Sequence, residues 1–561
     1  MRLLQKMSFL ALASGLAFGQ AATTSAGDPG SVAAEIKAMR EALAAQQKQI
    51  AEQQQQIEKL QKQVTATPDT AATVPVSGDS TSARVVDASL RTPSPVNVAA
   101  PPVQDEQKES PLSFRIGGAQ FTPGGFMDFT SIFRTTNEGT LGTNFFSIPF
   151  NTLATGHLTE ERFTAQNSRL SLKAGEKFGN NDVAGYVEMD FLGNDGANIE
   201  VTSNSHTLRQ RLYFVDVKHD KWEVVAGQMW GWLTPNRVGT SSYSSDVFYS
   251  MDMDFNYQVG LTWTRQPGVR FIYHPNENLQ FGVSLENPEQ FGGQGEISFP
   301  AAANLNLTGE IDSAAGGTAV PNLHPDIIPK VAYDTTMNGK HFHVEAAGLI
   351  SGFKISDIPS VPGATFVSHT KEGFGGEAAV NLEVFKNFRL VSNAFWSDGG
   401  GRYIFGMAPD LVVAPVNAAG ATCAVVAGKA AGCDAAISLV HSGSGIVGFE
   451  YAATPKFTLF SYYGAMYAQR NSFPDLTSTV ATQPFVGFGG PGSPNTNNRA
   501  IQEPSLGFVQ TFWKQPQYGA LQLIAQGSYL TRSPWFVATT PPAPKNAHNT
   551  MVWLDLRYVL P

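Results

Sequence analysis

From Phe121 to the C-terminus the chain alternates apolar and polar residues with a period of two, as strands do when one face meets an apolar medium and the other water. In GYVEMDF, Val187, Met189 and Phe191 share one face while Tyr186, Glu188 and Asp190 share the other. In SRLSLK, Leu170 and Leu172 oppose Arg169, Ser171 and Lys173. In TLRQRLYF, Leu208, Leu212 and Phe214 oppose Arg209, Arg211 and Tyr213. The pattern predicts roughly 16 strands, near 121–135, 161–174, 182–193, 207–218, 222–230, 265–275, 279–287, 327–336, 341–354, 372–385, 388–397, 444–453, 456–470, 502–514, 518–532 and 549–560. Short breaks such as EKFGNN, KHDK, MNGK and ATPK alternate with long ones rich in Gly, Ser, Asn and Pro, giving eight long loops and seven short turns. An even strand count with turns at one end and loops at the other predicts an all-β fold, a 16-stranded antiparallel transmembrane β-barrel whose closure removes every unpaired edge. Residues 111–561 form this predicted barrel.

The first 110 residues are patterned differently. Arg2 and Lys6 precede an apolar run from Met7 to Phe18, and small residues follow at Gly19 to Ala22, so residues 1–21 read as a secretory signal peptide. Next, Ile36, Leu43, Ile50, Ile57 and Val64 recur every seven residues, with Val32, Met39, Gln46, Gln53 and Leu60 at the complementary positions. This predicts an α-helical coiled coil over 31–64, with a lone polar spacer helix as the alternative. Residues 65–110, rich in Ala, Thr, Ser, Val and Pro, read as an extended linker.

Composition narrows the class. Only 15% of the 561 residues are charged, against about a quarter in ordinary soluble domains. The 54 glycines and 37 phenylalanines suit turns and ring-bearing strands. A net charge of -9 provides no global field for nucleic acid, so no nucleic-acid partner is expected. A soluble sandwich would also alternate. Loop asymmetry, with aromatics near strand ends such as Trp222, Tyr273, Phe457, Tyr518, Trp553 and Tyr558, favours a lipid-facing barrel with interfacial girdles. Cys423 and Cys433 lie close together, and export favours a disulfide between them over two free thiols.

The order of signal, coil, Pro-rich linker and a barrel containing AQNSRLSLKA, GYVEMDF, TLRQRLYFVDV and VVAGQMWGWLTPN resembles the DcaP-like family of trimeric outer-membrane porins, and more distantly the phosphate-selective porins. The resemblance implies a homotrimer in the bacterial outer membrane, a coil in the periplasm, contact with outer-membrane lipid and lipopolysaccharide, and diffusion of small anionic solutes such as dicarboxylates. No HExxH, GxSxG, Walker or Rossmann pattern occurs, so no enzymatic activity and no cofactor are expected.

On the expected lumen face, Arg169, Lys173, Arg209, Arg211 and Arg270 come from the second, fourth and sixth strands, beside Tyr213, Glu188 and Asp190. Glu286, Glu345, Glu377, Glu383 and Glu450 come from later strands, and opposed signs across a narrow channel would orient a dipolar solute. The arginines instead pairing with acids of the wall is the alternative. By the resemblance, the third long loop would fold inward as a constriction, placing Asp252 and Asp254 opposite the wall arginines, with Arg237 and Asp246 on the same loop. An exposed loop contacting a neighbouring subunit is the other arrangement. His341, His343 and Glu345 share a strand face, but no further ligand is evident and no metal site is expected. Two functions follow: a porin preferring anions, or a structural or adhesive barrel tethered to the cell wall, through peptidoglycan contact, by its coil.

Overall fold

The structure, a computed structural model, describes residues 110–193, 206–287, 297–302, 322–356, 367–539 and 542–561. The predicted signal, coil and linker up to residue 109 lie outside the described residues.

Sixteen antiparallel strands close into a barrel. They are β1 (Ala119–Arg134), β2 in two pieces (Glu160–Thr164 and Arg169–Phe178), β3 (Asn181–Asp190), β4 (Arg209–His219), β5 (Trp222–Trp230), β6 (Arg265–Tyr273), β7 (Leu279–Glu286) and β8 (Asp326–Met337). The second half comprises β9 (Lys340–Ser356), β10 (Ser368–Phe385), β11 (Phe388–Asp398), β12 (His441–Thr454), β13 (Phe457–Ala468), β14 (Asn498–Gln515), β15 (Gly519–Pro534) and β16 (Ala547–Val559). Each strand pairs with its neighbours in sequence. β1 closes on β16 in a register running from Phe126 opposite Val559 to Arg134 opposite Met551. Every predicted strand has its counterpart here. Two of the long loops also carry hairpins that the alternation did not predict, Leu411–Asn417 with Cys433–Leu439 and Asn471–Pro474 with Phe485–Phe488. Cys423 and Cys433 are joined by a disulfide at the first of these.

Burial runs opposite to that of a water-soluble sandwich. Along β16, Val552, Leu554 and Leu556 face out, each more than 40% exposed, while Met551, Trp553 and Asp555 are fully buried. Across the barrel the exposed face carries Phe129, Phe163, Val215, Phe374 and Leu506, and the buried face carries Arg134, Glu188, Asp190, Arg270, Lys330, Glu450 and Glu503. Charges so buried stand only if they are paired or hydrogen-bonded. A closed sheet with such an outside suits hydrocarbon, where no backbone group can be left unpaired.

Two expectations about facing fail for local reasons. Tyr213 is on the outer face, 40% exposed, because the β3–β4 register shifts between Glu188 and Met189 and Arg211 becomes the extra residue. A bulge of this kind flips the side chains beyond it, so Leu212 and Phe214 face in. Trp553 is no girdle residue. It faces in, its ring beneath the Arg134 guanidinium and beside Phe255. Trp222 and Tyr518 do sit exposed at the short-turn end, and Trp222 packs against Tyr273.

Candidate functional site

On the inner wall at β2, β3 and β4 the basic side chains gather around two carboxylates. Arg209 makes two hydrogen bonds to Asp190, Nε at 3.0 Å and Nη2 at 2.7 Å. Arg211 bridges both acids, Nε to Glu188 at 2.7 Å and Nη1 to Asp190 at 2.8 Å, and its Nη2 donates to the Tyr257 hydroxyl. Arg169 approaches Glu188 at 3.7 Å and lies over Phe126. Lys173 lies over the ring of Tyr243. Arg211 and Arg169 are almost completely enclosed, whereas the side chain of Arg209 remains 35% exposed.

A fourth guanidinium joins this group. Arg265, at the start of β6, stacks over Trp230 and Trp263 at 5.5 and 5.6 Å, and Trp230 is also the ring beneath Arg211. Among the described residues the buried Nη1 of Arg265 has no hydrogen-bond partner. Arg265 follows directly on the third loop, and strand alternation does not single it out. Its alternating neighbours could not reveal two indoles brought together from the ends of that loop. Arg270 is elsewhere. It is fully buried against Glu286 at 3.4 Å, donates to Ser242 and to the Trp230 carbonyl, and meets no solvent.

The third long loop, residues 231–264, is hydrogen-bonded to inward-facing side chains on most of the remaining strands. Its backbone N–H groups are taken by wall carboxylates: Trp232 by Glu286 at 2.8 Å, Asn236 by Glu345 at 3.1 Å, Gly239 by Asp334 at 2.9 Å and Val259 by Glu503 at 3.0 Å. Lys330 on β8 pairs with Glu345 at 2.9 Å and donates to the carbonyls of Trp232 and Thr234. Arg237 pairs with Glu450 on β12, and Asn381 on β10 donates to the Arg237 carbonyl. Further round, the Tyr462 hydroxyl accepts from the Met251 amide and Gln526 accepts from that of Met253. An irregular segment must satisfy its backbone somewhere, and this one does so on the barrel wall.

Three acids expected on a free acidic wall, Glu286, Glu345 and Glu450, are therefore committed to the loop. Glu383 accepts from the Asn387 amide at the β10–β11 turn. Asp252 and Asp254 bond to neutral groups rather than to a wall arginine. Asp252 accepts from Gln526 at 2.7 Å, and Asp254 accepts from the Thr143 amide in the first long loop. Burial and the charge of Asp254 push the Asp252 carboxyl up from its ordinary range. Burial likewise raises Asp254 against the pull of Arg134. Asp246 lies further back on the loop, its carbonyl accepting from the Arg237 amide. His343, considered above as a ligand, has both ring nitrogens taken, Nδ1 by Asp334 at 2.9 Å and Nε2 by Glu345 at 3.1 Å.

Glycines let the loop backbone lie directly on the wall. A Cβ at Gly464 on β13 would stand 1.6 Å from the Val259 carbonyl oxygen, and one at Gly260, where φ is +91°, would stand 2.1 Å from the Gly445 oxygen. Only residues without a Cβ permit this approach.

No protein-family model matches the chain, and no curated protein matches it by sequence. Among solved structures, the outer membrane channel DcaP of Acinetobacter baumannii aligns with 79% of this chain and 97% of its own, at 17% identity and a TM-score of 0.51. An anion-selective porin from Comamonas acidovorans aligns with 79% of this chain and 99% of its own at 12% identity and a TM-score of 0.41. Pseudomonas putida OprB aligns with 78% and 94% at 12% identity and a TM-score of 0.40. The likeness to DcaP is one of fold.

Proposed function

We propose that this chain is an outer-membrane porin that passes small hydrophilic solutes, with a preference for anions such as dicarboxylates, through a pore narrowed by an inward-folded third loop. One observation carries the reading. Arg169, Arg209, Arg211 and Arg265 gather on one wall around only Glu188 and Asp190, so the cluster holds an excess of positive charge. Within it the roles divide by exposure. Arg211 and Arg169 are enclosed and orient the group, while Arg209 and Arg265, both only partly buried, are the ones that meet a solute. A planar guanidinium suits the task because it holds two carboxylate oxygens at once.

The hydrogen bonds from 231–264 to so many strands support an inward loop rather than an exposed one. The apolar outer face supports a lipid setting, and the long loops would face outward from the cell. On the same reading the heptad segment 31–64 stands in the periplasm and holds three copies together, after loss of residues 1–21.

Liposome swelling tests the proposal: protein-containing vesicles should admit succinate faster than a neutral solute of similar size. The advantage should shrink in Arg209→Ala and Arg265→Ala. Equal rates for both solutes in the wild type would remove the anion preference.

A further inference from the structure

Strands β10 to β14 leave a groove of about 710 Å³ on their outer face. The strand register explains it. One row across the strands runs Ala378, Ala394, Gly445, Ala465 and Gln502, so for four strands nothing larger than a methyl group projects. The next row towards the long loops holds Gly376, Trp396, Gly443, Tyr467 and Ala500. There the Trp396 and Tyr467 rings stand parallel, 6.4 Å apart, with Gly443 beneath the indole. One step further, Trp535 packs against Tyr467 at 6.2 Å. Arg470 and Arg499 both lie over the Trp535 ring, at 5.9 and 5.8 Å, and both are exposed. Arg499 reaches this place because the β14–β15 register shifts between Asn498 and Ala500. Among the described residues neither arginine has a carboxylate partner.

We infer that this face binds a phosphorylated glycolipid of the surrounding leaflet, its phosphate between Arg470 and Arg499 and an acyl chain in the alanine–glycine row. Cations, then aromatic rings, then a low apolar channel follow in the order in which such a lipid presents phosphate, interfacial and hydrocarbon parts. Two unpaired guanidiniums on one indole are the charge complement of a phosphate. A second copy of this chain packed here would have to supply acids to meet them. The inference rests on the barrel being an outer-membrane one with its long loops outside, and it gives the lipid contact a defined site on a face that the pore does not use.

The test uses the full chain in detergent micelles, with bound lipid counted by native mass spectrometry. The probes are bis-phosphorylated lipid A, the same lipid with its phosphates removed, and inorganic phosphate. Wild-type protein should hold the phosphorylated lipid about tenfold more tightly than the dephosphorylated form. The Arg470→Ala/Arg499→Ala variant should lose that preference, and Ala465→Leu, which fills the groove, should weaken binding of both lipids. Equal binding of the two lipids by the wild type, or an unchanged preference in the double variant, would overturn the inference. Competition by inorganic phosphate as strong as by the lipid would reduce the site to one for free anions. Separation of subunits by Ala465→Leu with lipid binding intact would make the groove a subunit contact instead. Conductance of the same preparations separates the two readings: a conducting wild type with no lipid preference contradicts only this inference, and a lipid preference without conductance contradicts only the porin.

Discussion

Arg237 of the third long loop grips Glu450 of β12 with two hydrogen bonds, Nη1 to Oε2 at 2.9 Å and Nη2 to Oε1 at 2.8 Å. The acid is fully buried and also accepts from the Tyr462 hydroxyl. Removing one member of such a pair leaves the other charged and enclosed, which costs about 3 kcal/mol or more. Arg237→Ala should therefore loosen the loop, seen as noisier single-channel currents and a lower melting temperature. Arg237→Ala combined with Glu450→Ala should recover part of the lost stability.

The contact between Gly464 and Val259 has no side chain to yield. Gly464→Leu inserts atoms where the loop backbone lies, so the loop must lift from β13. Single-channel conductance should rise. Heat resistance of the barrel on gels should change little, because the strand pairing on either side of Gly464 is untouched. An unaltered conductance would place the narrowest point away from this contact.

The loop should also respond to pH. Asp252 and Asp254 are buried together, and Glu503 of β14 is a third carboxylate close to both. Arg134 of β1 is the cation acting on Asp254, and Gln526 of β15 faces Asp252. A carboxyl whose folded value lies above its unfolded one stabilises the docked loop fully below about pH 4 and loses that contribution as pH rises through the elevated value. Docking should thus be tighter at pH 5 than at pH 8. Current noise should grow with pH, and Asp252→Asn should flatten the dependence.

The barrel was legible because an apolar outer face and a polar inner one impose a period of two that few other constraints disturb. The pattern predicts β5 over 222–230, the bounds observed. What escaped depends on distance or on a single inserted residue. Nothing local to Arg211 announces the bulge that turns Tyr213 outward, and the Asn236–Glu345 hydrogen bond joins residues 109 apart. The sequence pattern therefore placed Glu286, Glu345 and Glu450 on the right face but with the wrong task, as pore acids rather than acceptors for a loop. It found Arg209 and Arg211 because strand alternation puts them on the inner face, as it does Asp190. It passed over Arg265, whose indole partners come from the two ends of a 34-residue loop.

The disulfide is a local clamp. Cys423 and Cys433 are separated by ten positions and enclose only the small hairpin Ala424–Val426 with Lys429–Ala431. Cys423→Ser should shorten the life of this hairpin under protease, while conductance and barrel melting stay at wild-type values.

The proposed selectivity rests on positive charge along the wall from β2 to β6. The reversal potential of the protein in a planar bilayer, under a gradient of KCl, measures it. The sign should be that for chloride over potassium in the wild type, with the potential moving towards zero in Arg209→Ala/Arg265→Ala as the excess charge falls. A wild-type potential of the opposite sign, or one that the double variant leaves unmoved, would contradict it.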